Sequence, residues 1–257
     1  MSNKIDLNCD VGESFGAYSL GNDEALMGLV TSANIACGYH AGDPLVMDRT
    51  VRLAARHGVG IGAHPGFPDL AGFGRRAMQL APAEIENAVL YQVGALAAFA
   101  RSAGSELAHV KPHGALYNMA AKDAEVARSV ARGVACAGEG IIVVGLAGSV
   151  MIEAGREAGL RVAREGFADR AYEADGSLRS RKLDGAVIHD PETAAERAVR
   201  IARDGVVVAY TGEEIPLQVD TLCVHGDTPG AVEIVKAIRR RLAEVGVEVA
   251  PMGRFTE

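Results

Sequence analysis

The stretch IDLNCD, residues 5–10, alternates without a break: Ile5, Leu7 and Cys9 fall on one side of an extended chain, Asp6, Asn8 and Asp10 on the other. One face of this strand is therefore apolar, and the other carries acids and an amide. Three more short runs repeat the pattern. Val59, Ile61 and Ala63 alternate with Gly60, Gly62 and His64; Ala108 and Val110 oppose His109, Lys111 and His113; Leu222 and Val224 oppose Cys223 and His225.

These runs sit in a strand–helix succession. Strands are expected at about 4–10, 32–37, 58–64, 106–112, 141–146, 161–167 and 221–225. Between them, Asp43 before Pro44 predicts a capped helix that stops at Gly58, and an Ala-rich helix ends at Gly104. Further helices are expected at about 122–137, 148–158, 191–204 and 228–244. Residues 168–190 look like a long polar loop, and 205–220 like an added hairpin.

Alternating strands and helices imply a parallel sheet, either closed or open and doubly wound. An internal strand of an open sheet is covered by helices on both faces and should be apolar on both. Here one face repeatedly carries Asp, Asn, His, Lys or Gly, which suits an α/β barrel whose interior turns polar towards one mouth. The glycines of the third strand would leave room for His109 and Lys111. One barrel domain spanning 1–257 is expected.

In such a barrel the C-terminal ends of all strands share one rim. Asp10, His40, His64, His113 and His225 lie at or just after strand ends, so they are predicted to converge where barrel enzymes place their sites. A single strand-end histidine is more often structural than catalytic; recurrence at equivalent places is what favours function. The remaining histidines have simpler readings: His57 at a helix end, His109 as a hydrogen-bonded core residue, His189 at a loop-to-helix entry capped by Asp190. Asp43 can be a cap and no more. Lys111 points inward and needs a partner, because an isolated buried charge is very costly; Asp10 or Asp6 is the natural one. Its functional reading is stabilisation of an oxyanion. DLAGFGRRAM, 69–78, is either a solvated loop or a lid in which Arg75 or Arg76 holds a carboxylate or phosphate.

Composition narrows the classes. Of 257 residues 49% are hydrophobic and 23% charged, with no tryptophan and aromatics at 5%, so an aliphatic core is expected. A net charge of −7 argues against a nucleic-acid partner. No apolar run is long enough for a membrane span, and MSNKIDLNCD has no apolar signal core. Cys9, Cys37, Cys136 and Cys223 form no Cys-x-x-Cys pair and read as reduced thiols in a cytoplasmic protein. Cys9 and Cys223 are taken as wall residues and Cys37 as apolar packing, which leaves no promising thiol nucleophile. There is no P-loop, no H-E-x-x-H and no G-x-S-x-G; GVGIGAHPG fits the dinucleotide fingerprint poorly, with Ala63 at the third glycine.

DLNCDVGES, SANIACGYHAGDP, GAHPGFPDLAGFGRR, VKPHGALYN, FADRAY, AVIHDPE and DTLCVHGDTPGAV together resemble the LamB/YcsF family, in order and over nearly the whole chain. Tyr39 stands where the family motif carries phenylalanine, and RKLDG replaces a proline-containing turn. The resemblance implies a seven-stranded (β/α) barrel, TIM-like and akin to glycoside hydrolase and deacetylase barrels. It implies the A component of a 5-oxoprolinase, which cleaves 5-oxoproline (pyroglutamate) to L-glutamate with ATP as co-substrate, acting with subunits B and C that help handle the nucleotide.

Chemistry and rim position make Asp10, His64, Lys111 and His113 the candidate catalytic groups, with Asn8, His40, Asp43, Arg75, His225 and Asp227 around the substrate. Asp10 is expected as base or orienter, the two histidines as proton carriers and Lys111 as oxyanion or phosphate stabiliser. Two alternatives stay open. Asp plus two histidines can hold a divalent metal with an open position, as in a metal-dependent amide hydrolase or deacetylase, although no short ligand spacing marks one. The chain can instead be a non-catalytic lactam-binding subunit.

Overall fold

The computed structural model describes residues 3–224 and 230–256. Its strands are β1 (Lys4–Val11), β2 (Ser32–Ala36), β3 (Gly60–His64), β4 (Leu107–Val110), β5 (Ile142–Leu146), β6 (Arg161–Phe167), β7 (Val206–Val208), β8 (Glu214–Pro216), β9 (Thr221–Val224) and β10 (Glu248–Val249). Strands β1 to β6 pair in sequence order, and β9 pairs with both β6 and β1, closing a seven-stranded parallel barrel. The antiparallel pair β7–β8 is the added hairpin. Strand β10 joins β1 at Lys4 and Ile5, outside the ring closure.

The surrounding helices are α1 (Asp23–Met27), α2 (Pro44–His57), α3 (Pro82–Ser102), α4 (Gly114–Ala120), α5 (Ala124–Ala137), α6 (Val150–Glu157), α7 (Pro191–Val199) and α8 (Ala231–Glu244). Helix α2 starts and stops as its sequence predicts: Asp43 accepts from the amides of Leu45 and Val46, and Gly58 ends it in the left-handed conformation at φ 66°. Asp190 caps α7 in the same way. Helix α7 runs into a π turn, Arg200–Asp204, instead of continuing as one regular helix. Helices α1 and α4 are additions to the expected set; with 5 and 7 residues they are too short for a periodic signal.

The outward faces of the strands, including Ile5, Leu7, Cys9, Ile61, Ala63, Val143 and Leu222, are buried in one aliphatic core with the helices. Strand β5 turns Ile142 and Val144 inward, while the inward faces of β1, β2 and β4 form a polar column with Glu165 of β6 and Thr221 of β9. At its foot, Asp6 accepts from the hydroxyls of Thr31, Ser32 and Thr221. One pleat higher, the Asn8 amide donates to Glu165 and Thr221. Asn34 donates to Asn8 and Asp10, and the His109 Nε2–H donates to the Asn34 carbonyl oxygen at 2.8 Å. Gly62 makes this possible: a Cβ there would lie 2.0 Å from His109 Nε2.

The segment after β10 folds across the N-terminal end of the barrel. Met252 packs with Ile142, Val144 and Ala163, Phe255 covers them, and the Met252 amide donates to Asp6.

Candidate active site

Lys111 follows β4 and turns its ammonium into the barrel, where it is 3% exposed. Nζ lies 3.1 Å from Asp10 Oδ1 and 2.8 Å from Glu165 Oε1, and it donates to Asn8 Oδ1 and to Cys223 Sγ at 3.0 Å. Burial opposes its charge, yet Asp10 and Glu165 hold the lysine well above its ordinary value. Cys223 adds no charge, because burial pushes its thiol well up. It faces into the barrel as a hydrogen-bond partner, so it is more than the wall residue expected. Asp6 lies too low to meet Lys111; Glu165, on the inward face of β6, takes the place expected of it.

Above this floor stand three imidazoles. His64 ends β3, and its Nε2 lies 3.3 Å from Asp10 Oδ2. His113 precedes α4, with Nδ1 2.9 Å from His64 Nε2. His40, past the end of β2, stacks on His113 with centroids 3.7 Å apart and planes within 2°. Burial first, and then the neighbouring imidazoles, hold His40 and His113 well below the ordinary histidine value. Glu13, two residues past β1, reaches within 3.6 Å of His40 Nε2 and 3.8 Å of His113 Nδ1. Glu13, His40, His64 and His113 are all buried and offer ligand atoms within 4.8 Å of one another, an arrangement able to hold a metal ion.

The loop 69–78 wraps this cluster. The Phe73 carbonyl accepts from His113 Nε2 at 2.9 Å. At Gly74 a Cβ would lie 2.7 Å from His40 Cβ and 2.8 Å from His113 Cδ2, so only glycine lets the loop come this close. Arg76 is tied to Asp69 by an ion pair. Arg75 instead lines the cavity, with its guanidinium 4.9 Å from the Phe73 ring centroid.

The cavity at this mouth measures about 640 Å³. Asp10, Glu13, His64, Lys111 and His113 line its inner end. Its lip is basic, with Arg75, Lys122, Arg170, Arg179, Arg181 and Lys182, most of them from the long loop 168–190. Arg170 is held by the carbonyl oxygens of Ala186 and Arg179.

The structure thus brings Asp10, His64, Lys111 and His113 together and sets His40 behind His113. Asn8 lies beneath them, buried in the polar column. Asp43 stands apart: Oδ1 caps α2 and Oδ2 accepts from the Gly16 amide at 2.8 Å. His225 and Asp227 lie outside the described residues. Glu13, Asn34 and Glu165 join the site without having been expected there. Applying the alternation of β1 to REGF, 164–167, would have turned Glu165 inward, whereas Glu13 lies past the strand end, where that rule stops.

No disulfide joins the four cysteines, and among the described residues no helix is long and apolar enough to cross a membrane. A sequence profile of the LamB/YcsF family matches residues 5–257. The chain is 59% identical over 252 residues to the A component of the 5-oxoprolinase of Pyrococcus furiosus, covering 98% of this chain and 99% of the relative. It is 58% identical over 245 residues to the protein of the same name from Chloroflexus aggregans, covering 95% and 97%. The crystal structure of the lactam utilization protein from Thermus thermophilus superposes with a TM-score of 0.91 at 51% identity, over 96% of this chain and 99% of that one.

Proposed function

The chain belongs to the LamB/YcsF family, and we propose that it is the lactam-opening subunit of a cytoplasmic, ATP-dependent 5-oxoprolinase that works with subunits B and C. The observation that carries this reading is the Asp10–Lys111 pair, buried at the inner end of a cavity with a basic lip. A small anionic amide matches both parts: its carboxylate, or a phosphate placed on its carbonyl oxygen, meets the arginines, and its scissile bond reaches the acid–base groups.

A five-membered lactam resists direct hydrolysis, and phosphorylation of its carbonyl oxygen by ATP would activate the ring. Water then adds to the carbonyl carbon. The C–N bond breaks, its electron pair goes to nitrogen, nitrogen takes a proton, and a second water cleaves the resulting acyl phosphate to glutamate and free phosphate. Asp10 accepts a proton from the water or orients it, and Lys111 stabilises negative charge on oxygen. His64 and His113 face this pair, and a positive centre between them, proton or cation, completes the hydrolytic set. Arg75 holds the anionic group, with His40 behind the histidine pair; Asn8 acts from below by holding Lys111 and Asn34 in place.

The test is reconstitution of all three subunits with ATP and 5-oxoproline, measuring glutamate with and without this chain. Asp10→Asn should lower turnover by ~10²–10⁴-fold in a folded protein. Full turnover by that variant, or in the absence of the chain, overturns the assignment. Binding of 5-oxoproline with no turnover in the complete mixture favours the binding-subunit reading.

A further inference from the structure

The contact between His64 Nε2 and His113 Nδ1 has no proton to occupy it. A carbonyl oxygen only accepts, so the ring nitrogen facing one must donate. His64 Nδ1 lies 2.7 Å from the Lys111 carbonyl, which places its hydrogen on Nδ1 and leaves Nε2 a bare lone pair. His113 Nε2 lies 2.9 Å from the Phe73 carbonyl, which leaves Nδ1 bare as well. Two lone pairs then meet at 2.9 Å. Something positive must lie between or beside them.

A shared proton would settle that contact alone. It would leave His40, which is 0% exposed and whose two ring nitrogens have no hydrogen-bond partner among the described residues. A metal ion accounts for both observations.

We propose that His40, His64, His113 and Glu13 bind a divalent transition-metal ion of the zinc type. Three imidazoles and one carboxylate are the donors such ions prefer over magnesium or calcium. A tetrahedral ion with metal–nitrogen bonds of ~2.0–2.1 Å sets its ligand atoms ~3.3 Å apart. The contacts of 2.9, 3.6 and 3.8 Å among His113, His64, His40 and Glu13 straddle that edge. The Lys111 and Phe73 carbonyls fix the His64 and His113 tautomers as outer partners of metal-bound histidines do. Asp10, 3.3 Å from His64 Nε2, stands beside the ion. The site exists whether or not the chain opens lactams; its part in hydrolysis rests on the function proposed above.

The experiment uses the full chain, stripped with a chelator, dialysed and titrated with Zn²⁺ and Co²⁺. Metal analysis and the visible bands of Co²⁺ read stoichiometry and geometry. One ion per chain is expected, with the strong visible absorption of tetrahedral Co²⁺, and binding weakened more than tenfold in both His40→Ala and Glu13→Gln. Circular dichroism checks that each variant is folded. A folded wild-type chain that binds no ion overturns the proposal. So does binding of equal strength in a folded His40→Ala variant. Turnover that survives complete metal removal sinks the ion's part in hydrolysis and spares the lactam-opening function; a bound ion without turnover in the reconstituted enzyme does the reverse.

Discussion

Glu165 Oε1 lies 2.8 Å from Lys111 Nζ, and both side chains are sealed from solvent beneath the cavity. Among the described residues the lysine is the one ammonium beside Glu165, so removing it strands that carboxylate where water cannot reach. Lys111→Met should destabilise the fold by ~3–5 kcal/mol. Lys111→Met with Glu165→Leu should recover a large part of that loss, because a vacant partner costs more than an apolar pair of similar volume. Urea denaturation of the two single variants and the double variant measures the coupling. Additive losses would mean that the two residues do not act as a pair.

Acid should weaken the protein well before its surface carboxylates titrate. Burial, and then the Lys111 charge, press His109 from 6.5 to about 3. Its folded value is the lower one, so its contribution is complete above the unfolded value of about 6.5 and is lost as pH falls towards 3. The span is worth ~5 kcal/mol. Burial moves His40 and His113 in the same direction. Urea midpoints at pH 7.5 and 4.5 should differ accordingly, and a folded His109→Gln variant should show a shallower fall.

Gly62→Ala tests the polar column from its other side. The added methyl would lie 2.0 Å from His109 Nε2, and His109 has no free space to retreat into, being 0% exposed. Crowding of this kind costs ~1–3 kcal/mol, and losing the His109–Asn34 bond adds to it. Turnover should fall together with thermal stability, because Asn34 also holds Asp10. A variant with unchanged melting temperature would show that the column yields more easily than its packing implies.

Asp43→Ala separates a cap from a ligand. Its oxygens serve the amides of Leu45, Val46 and Gly16. The substitution should cost ~1 kcal/mol of stability and leave the KM for 5-oxoproline unchanged. A rise in KM at equal stability would return Asp43 to the substrate site.

Much of this architecture can be read from alternation alone. In β1 every second residue is apolar, so the inward set of Asp6, Asn8 and Asp10 is unambiguous, and His64, His109 and Lys111 follow by the same rule. Strand β6 hid its contribution because both of its faces carry charge: Arg164 points outward to Asp220 while Glu165 points in. Glu13 and His40 lie past strand ends, where the backbone turns and no periodicity assigns a direction. Helix α4 hides for a related reason. Its first residue, Gly114, sits at φ 55° and packs against the Gly74 carbonyl, so tertiary contact and not a capping side chain starts it.

The stopper formed by Met252 and Phe255 has a kinetic meaning. A barrel plugged at its foot is a blind alley entered from the arginine-lined mouth. On the proposed reaction, a ring that enters past the arginines leaves as an opened chain through the same mouth. A companion protein seated over that mouth would therefore time each turnover by how long it stays shut.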